Sequence, residues 1–510
     1  MKSQRKSATE TGELIHELLD EAVSDRSRGR AVRDATGVLS YSQVARLSHA
    51  FATWLAERGV GHGDRLVVML PSTREVVAMF YGASRVGAIF VPLNPAMKEF
   101  HLASVLADAE PRLIISAGQA ADRLARISAV PVFELESVWS EVERLDERGV
   151  TFVAPQGQVL PQDVATLVYT SGSTAAPKAV VCPHAQVVFA VRAINAELRY
   201  RPDDVVFCRF PLSWDYGLHK VLLSCVGRAE LVLAGEESDL LLLSRMRETG
   251  ATVVPIVPSL ASMIVTLTER GAADLPPVRM FTNTGAALPA ATIAALRAAF
   301  PGARVVRQFG QTECKRISIM PPDLDEERPD SVGRPLPGTT VLILDQDGTP
   351  LPPGEVGEIV AVGPHVMTGY WRSPELTAHT FRRDERTGQL RLHTGDYGWL
   401  DEDGYLFFEG RRDDMFKRKG IRMSTIEIEA AAMDVPGVRA AAVLPPATGR
   451  DLAIFVAADL TPHVLLKELA QRLEPAKVPA VCRVMPDLPL TLHSKNARGA
   501  LAAMLERSDR

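Results

Sequence analysis

The sequence points to an α/β protein with a large N-terminal body of α/β subdomains, a small β-rich subdomain at about residues 331–412, and a small α+β domain at the C-terminus. Three observations carry this expectation. Before residue 330, short apolar runs recur between helical stretches at the spacing of strand–helix–strand units, from which parallel sheets are built. After residue 330 the runs come closer together, separated by Gly/Pro/Asp turns. From about residue 414 helices and strands alternate again.

Taken in order, Leu14-Ile15, Leu18-Leu19 and Val23 have helical spacing, and Ser42 to Leu55 continues it with Val44, Leu47 and Phe51 on one face. Arg65 to Leu70 reads as a strand, followed by a helix around Val76 to Ala83 and a second strand at Gly87 to Val91. Leu113 to Ile115, Val164 to Val168, Val205 to Phe207, Leu231 to Leu233, Val253 to Ile256 and Arg304 to Val306 are further strands, with helices such as Ala290 to Ala299 between them. Ligands of such a body are expected at the carboxyl ends of its strands. Thr340 to Leu344, Gly357 to Val362 and Gly404 to Glu409 are the short strands of the β-rich part.

The chain has 510 residues, several times the usual domain size, so at least two domains are expected. A net charge of −5 gives no global attraction to nucleic acid or to an anionic membrane. Cys182, Cys208, Cys225, Cys314 and Cys482 show no C-x-x-C spacing, which disfavours a zinc site or a disulfide framework. The N-terminus lacks the apolar core of a signal peptide, and no run of about 18 apolar residues occurs. A soluble cytoplasmic protein without nucleic-acid or membrane partners is expected.

The most informative stretch is Tyr169-Thr170-Ser171-Gly172-Ser173-Thr174-Ala175-Ala176-Pro177-Lys178, directly after the Val164 to Val168 strand. Its backbone N–H groups, hydroxyls and ammonium all donate, and a polyphosphate can only accept, so it reads as a phosphate loop. The GxxxxGK[ST] spacing of the common P-loop is absent. The stretch resembles the phosphate-binding signature of the adenylate-forming enzymes: acyl-CoA synthetases, peptide-synthetase adenylation domains and luciferases. The resemblance implies that Thr170, Ser171, Gly172, Ser173, Thr174 and Lys178 bind ATP. The family usually has glycine at the places of Ala175 and Ala179, where alanine would be strained if φ were positive.

Five further segments match the family in order, over roughly residues 40 to 500. Gln308-Phe309-Gly310-Gln311-Thr312-Glu313 resembles the aromatic-Gly-x-Thr-Glu motif, which implies Phe309 and Gly310 at the adenine, Thr312 on the α-phosphate and Glu313 as a Mg²⁺ ligand. On the residues alone, Thr312-Glu313 would equally open a helix. Thr282 to Pro289 looks like the Gly-Ala-rich segment beside adenine and acyl pocket, involving Gly285 and Ala286, and fits a strand-to-helix turn with Pro289 at the first helical position. His393-Thr394-Gly395-Asp396 and Gly410-Arg411-Arg412-Asp413 match motifs that place Asp396 and Arg411 on the ribose and make Asp413 the hinge. By the same resemblance residues 1–412 form the adenylation core and 413–510 a mobile C-terminal domain. Leu488 to Arg498 resembles the segment carrying the lysine that stabilises the adenylation transition state, here Lys495, with Ser494 in place of glycine.

The acid is read from two places. Trp214-Asp215 resembles amino-acid adenylation domains, and a carboxylate in an apolar pocket calls for a cation such as a substrate ammonium; as a bare sequence Asp215 also fits a helix N-cap. Lys315 and Arg316 suggest a second negative group on the substrate, although phosphate, a structural ion pair or solvent would serve them as well. Together they resemble stand-alone β-amino-acid adenylating enzymes of macrolactam pathways that select aspartate-like or 3-methylaspartate-like acids. The expected reaction is ATP- and Mg²⁺-dependent adenylation of an amino acid with release of pyrophosphate, followed by transfer to the phosphopantetheine thiol of a separate acyl carrier protein, or to CoA. Three alternatives stay open: a CoA ligase for an acid without an amine, a luciferase-like oxygenase, and a catalytically silent carrier-binding homologue.

Overall fold

The computed structural model describes residues 13–508 apart from 155–157, 171–177, 236–238, 272–273, 325, 412–414, 419–420, 448–450, 474, 476 and 490–496. The α/β expectation holds. Among the described residues, one sheet has nine strands, whose centre runs Arg304–Phe309, Met280–Asn283, Val253–Ile256, Val205–Cys208, Glu230–Leu233, Arg30–Arg33, all parallel. A seven-stranded sheet holds Val164–Thr170, Ile89–Pro92, Arg65–Met69, Leu113–Ser116 and Val132–Glu134 in parallel. Its other edge is antiparallel, with Lys178–Pro183 and then Gly369–Tyr370.

Helices pack between and around these sheets. Tyr41–Glu57 is opened by Ser40, whose hydroxyl accepts from the Gln43 amide while the Gln43 side chain accepts from the Ser40 amide, a reciprocal capping box. Its apolar face, with Val44, Leu47, Phe51 and Trp54, belongs to one continuous core that reaches from Ile15 to Leu406. Arg74–Val86 is buried along nearly its whole length, as expected for a helix enclosed on all sides.

The β-rich part is an antiparallel sheet of Thr340–Leu344, Gly357–Val362, Leu390–Leu400, Phe381–Arg383 and Leu406–Arg411. The Asp403-Gly404 pair is the tight turn between its last two strands, so the final strand begins at Leu406 rather than at Gly404. Gly369–Tyr370 leaves this region to pair with Val180 and Val181, which brings Tyr370 to the edge of the seven-stranded sheet. Further on, Val438–Leu444, Ala453–Ala458 and Val481–Met485 form a three-stranded sheet with its own apolar cluster around Ile454 and Leu465. No helix among the described residues is long and apolar enough to cross a membrane.

Candidate active site

The strand Lys178–Pro183 returns antiparallel along Val164–Thr170, with Thr170 opposite Lys178 and Tyr169 opposite Ala179. Tyr169, Thr170 and Lys178 are therefore strand residues, and only 171–177 connect them. Ser171, Gly172, Ser173 and Thr174 lie outside the described residues, as do Ala175, Asp413 and Lys495. Ala179 is a buried strand residue and is not among the positive-φ positions, so alanine carries no left-handed strain there.

Lys178 reaches across to the turn that follows Arg304–Phe309. Its Nζ lies 3.1 Å from Glu313 Oε1 and donates to the Tyr370 hydroxyl at 2.7 Å, while that hydroxyl donates to the same Oε1 at 2.6 Å. Burial, reinforced by the Glu313 charge, pushes the Tyr370 phenol well above its usual range, which keeps it a donor. Glu313 is buried, and its Oε2 accepts no bond among the described residues. No helix starts at Thr312-Glu313. The chain turns instead, with the Ile317 amide donating to Phe309 O at 2.8 Å and the Met367 amide to Glu313 O at 2.9 Å. Gly310 permits this turn, since a Cβ there would sit 2.6 Å from Arg316 Cα. Thr312 is half-buried beside Glu313.

Two residues beyond Glu313, Lys315 makes a second crossing to the same strand. Its Nζ lies 2.5 Å from Asp215 Oδ1 and 3.3 Å from Cys182 Sγ, four residues along from Lys178. Burial alone would lower the Lys315 pKa, but the Asp215 carboxylate outweighs it and holds the ammonium charged. Lys315 itself sits at φ +64°, a left-handed conformation uncommon outside glycine. Its neighbour Arg316 is buried, donates through Nε to Gln308 at 2.9 Å, and has its guanidinium 5.0 Å from the centre of the Tyr216 ring.

Asp215 is the first residue of the helix Asp215–Gly227; Trp214 is the N-cap, so the reading of Asp215 as a cap is replaced by that of an ion-paired first-turn carboxylate. Trp214 is half-buried, its ring 6.4 Å from that of Phe210. The helix start is clamped, because a Cβ on Gly217 would lie 2.1 Å from Pro211 O, and the Tyr216 hydroxyl donates to Thr282 O at 2.8 Å.

The remaining residues flank these two crossings. Phe309 packs on Phe408 with ring centres 5.1 Å apart. Thr282 and Asn283 end their strand, and the Asn283 side chain donates to Ala286 O, turning Gly285 and Ala286 outward. Pro289 is the N-cap of Ala290–Ala299, one place before the expected first helical position. Asp396 and Arg411 are cross-strand partners 3.6 Å apart, and Arg411 lies close enough to act on the Tyr370 phenol through its charge.

Tyr370 and Cys182 were not singled out in the sequence. Nothing local marks Cys182, which reads as an apolar strand residue; Tyr370 stands out only once Gly369–Tyr370 is seen to cross between sheets. The pair His219-Lys220, set among Leu218, Val221, Leu222 and Leu223, was the one overlooked signal on the Asp215 helix.

Residues 19–371 match the family model described as AMP-binding enzyme, and residues 427–495 that of the AMP-binding enzyme C-terminal domain. The chain belongs to the AMP-binding enzyme family. As a member it is an ATP-dependent adenylate-forming enzyme. Novobiocin biosynthesis protein H of Streptomyces niveus is 30% identical over 507 residues, covering 97% of this chain and 83% of the relative. 4-Coumarate–CoA ligase of Vanilla planifolia is 28% identical, covering 84% and 81%. Among solved structures, VinN in complex with L-aspartate is 56% identical at a TM-score of 0.73, covering 78% of this chain and 98% of VinN. ATP-bound MatB from Rhodopseudomonas palustris is 26% identical at a TM-score of 0.85, covering 97% and 99%.

Proposed function

We propose that this AMP-binding enzyme activates an amino dicarboxylic acid of aspartate size and passes it to the phosphopantetheine thiol of a separate carrier protein. One observation carries the substrate assignment: a half-buried carboxylate, Asp215, pairs with the buried cation Lys315, and a second buried cation, Arg316, follows it in the chain. Asp215 accepts the substrate ammonium in addition to that of Lys315, and Arg316 with Lys315 receives the second carboxylate. The similarity to VinN, a protein solved with L-aspartate, supports this reading. Trp214 and Gly285 border the acyl pocket.

In the first half-reaction an oxygen of the substrate carboxylate attacks the α-phosphorus of ATP. The bond to the bridging oxygen breaks, pyrophosphate leaves and acyl-AMP forms. No protein nucleophile is needed; positioning and charge do the work. Lys178, Thr312 and the hydroxyl-rich 170–174 segment hold phosphate oxygens, Phe309, Gly310, Gly285 and Ala286 the adenine, and Asp396 with Arg411 the ribose. Lys495 meets the charge on the pentacovalent phosphorus. In the second half-reaction the thiolate attacks the acyl carbon and AMP leaves; Asp413, at the boundary between 1–412 and 413–510, is the hinge that exchanges Lys495 for the thiol.

Glu313 suits Mg²⁺. Among the described residues no group of three His, Cys, Asp or Glu side chains could hold a metal by itself. One carboxylate plus phosphate oxygens is the donor set Mg²⁺ commonly takes, and Glu313 Oε2 accepts no described bond. Bound there, the ion would offset phosphate charge.

ATP–pyrophosphate exchange over a panel of acids tests the assignment, with L-aspartate-type acids expected to exceed β-alanine and aliphatic acids. The similarity to 4-coumarate–CoA ligase favours a second reading, a CoA ligase for an acid without an amine. Acyl transfer to CoA but not to a holo carrier protein would establish it.

A further inference from the structure

Behind the Lys178–Tyr370–Glu313 triangle lies a second row of contacts. Successive side chains of a strand point to opposite faces of its sheet. Thr170, Lys178 and Tyr370 share the face from which Lys178 and Tyr370 reach Glu313, and their neighbours Tyr169, Ala179 and Trp371 share the other. There the three pack into the apolar cluster that the helix Glu99–Ala109 covers. Asp108, in the last turn of that helix, joins two of them. Its carboxylate accepts from the Tyr169 hydroxyl at 2.6 Å, and its backbone carbonyl accepts from the Trp371 indole Nε1 at 3.1 Å. The Trp371 amide in turn donates to Ala179 O at 2.9 Å. Burial, with the Asp108 carboxylate beside it, pushes the Tyr169 phenol well above its usual range, so it stays a donor. Just beyond, Glu110 and Arg372 form an ion pair. Both sit in the left-handed region, at φ +43° and +49°, a backbone conformation that persists only where its surroundings hold it.

We propose that Asp108 is a positioning residue for the triphosphate of ATP. By holding Tyr169 and Trp371 from behind, it sets the placement of Thr170, Lys178 and Tyr370, each one step along the chain from a residue of the rear row. Asp108 acts through these neighbours, from the side of the sheet opposite Lys178, and does not touch the nucleotide. A small displacement of the row is enough to spoil its hold on phosphate oxygens. The inference rests on the assignment of Lys178 to phosphate made above.

The test is calorimetric titration of the intact enzyme with ATP·Mg²⁺ and, separately, with AMP. AMP keeps the base, the ribose and the α-phosphate and lacks the other two phosphates. D108A and Y169F are each expected to weaken ATP binding by about tenfold, the size of one charge-assisted hydrogen bond, and to leave AMP binding near that of wild type. D108N, which keeps an acceptor for the Tyr169 hydroxyl, is expected to restore most of the loss. The double variant Y169F/D108A is expected to lose no more than either single variant, because all three break the same bond. ATP binding unchanged in D108A overturns the inference alone. So does an equal loss of ATP and AMP binding, which marks a merely structural role. K178A separates the two readings: ATP affinity unchanged in K178A overturns the phosphate assignment and the inference with it.

Discussion

Lys315 and Asp215, one hundred residues apart in the chain, form an ion pair between a buried ammonium and a half-buried carboxylate, with Nζ 2.5 Å from Oδ1. The pair joins the turn after Arg304–Phe309 to the start of the Asp215–Gly227 helix, and so fixes the geometry of the acyl pocket. Removing one partner of such a pair strands the other charge. D215N is therefore expected to lower the free energy of unfolding by about 3 kcal/mol, and D215N/K315M, which removes both charges, to recover part of that loss. Urea unfolding of the two variants measures the difference.

The Lys178–Tyr370–Glu313 triangle gives a second prediction. Tyr370 donates to an ionised carboxylate, a bond worth about 1.5–3 kcal/mol. Y370F is expected to reduce kcat/KM for ATP by about tenfold or more. E313Q is expected to cost about a hundredfold and to weaken the Mg²⁺ dependence of the rate, because it removes the charge itself. Initial rates against ATP and Mg²⁺ separate the two.

Gly217 offers a purely steric test. A methyl group there meets Pro211 O at 2.1 Å, a backbone atom that cannot step aside alone. G217A is expected to destabilise by about 1–3 kcal/mol and to displace Asp215, raising the KM of the amino acid more than that of ATP. Chemical unfolding and two-substrate kinetics check both parts.

Much of this was legible in the sequence, and the exceptions have physical causes. Strands such as Arg65–Met69 and Val253–Ile256 are apolar runs bounded by helical patterns, so periodicity locates them. Glu313, Lys315 and Arg316 sit in one motif and could be named together. Which residues they pair with could not. Lys178, Cys182, Asp215 and Tyr370 are brought to them by sheet pairing between distant segments, above all the crossing of Gly369–Tyr370 onto Val180 and Val181. The engagement of Asp215 by Lys315 was likewise invisible: the sequence leaves a structural ion pair open for Lys315 but does not name Asp215 as its partner.

His365 gives a pH dependence. It is buried, both ring nitrogens lack a partner among the described residues, and burial lowers its pKa from 6.5 to about 4. Between those values the unfolded chain binds the proton and the folded one does not. Stability from this residue is therefore complete above about pH 6.5 and lost as pH falls toward 4, at about 1.4 kcal/mol per pH unit. H365L is expected to flatten the curve in that window, as read from urea midpoints at pH 4.5, 5.5 and 7.

The most direct measurement is substrate-dependent ATP–pyrophosphate exchange by the intact enzyme, with L-aspartate, 3-methylaspartate, β-alanine and a four-carbon aliphatic acid compared at equal concentration. Asp215 beside Lys315 and Arg316 requires the two amino dicarboxylic acids to give the fastest exchange, and D215N to abolish their advantage. Faster exchange with the aliphatic acid, unchanged by D215N, would contradict it.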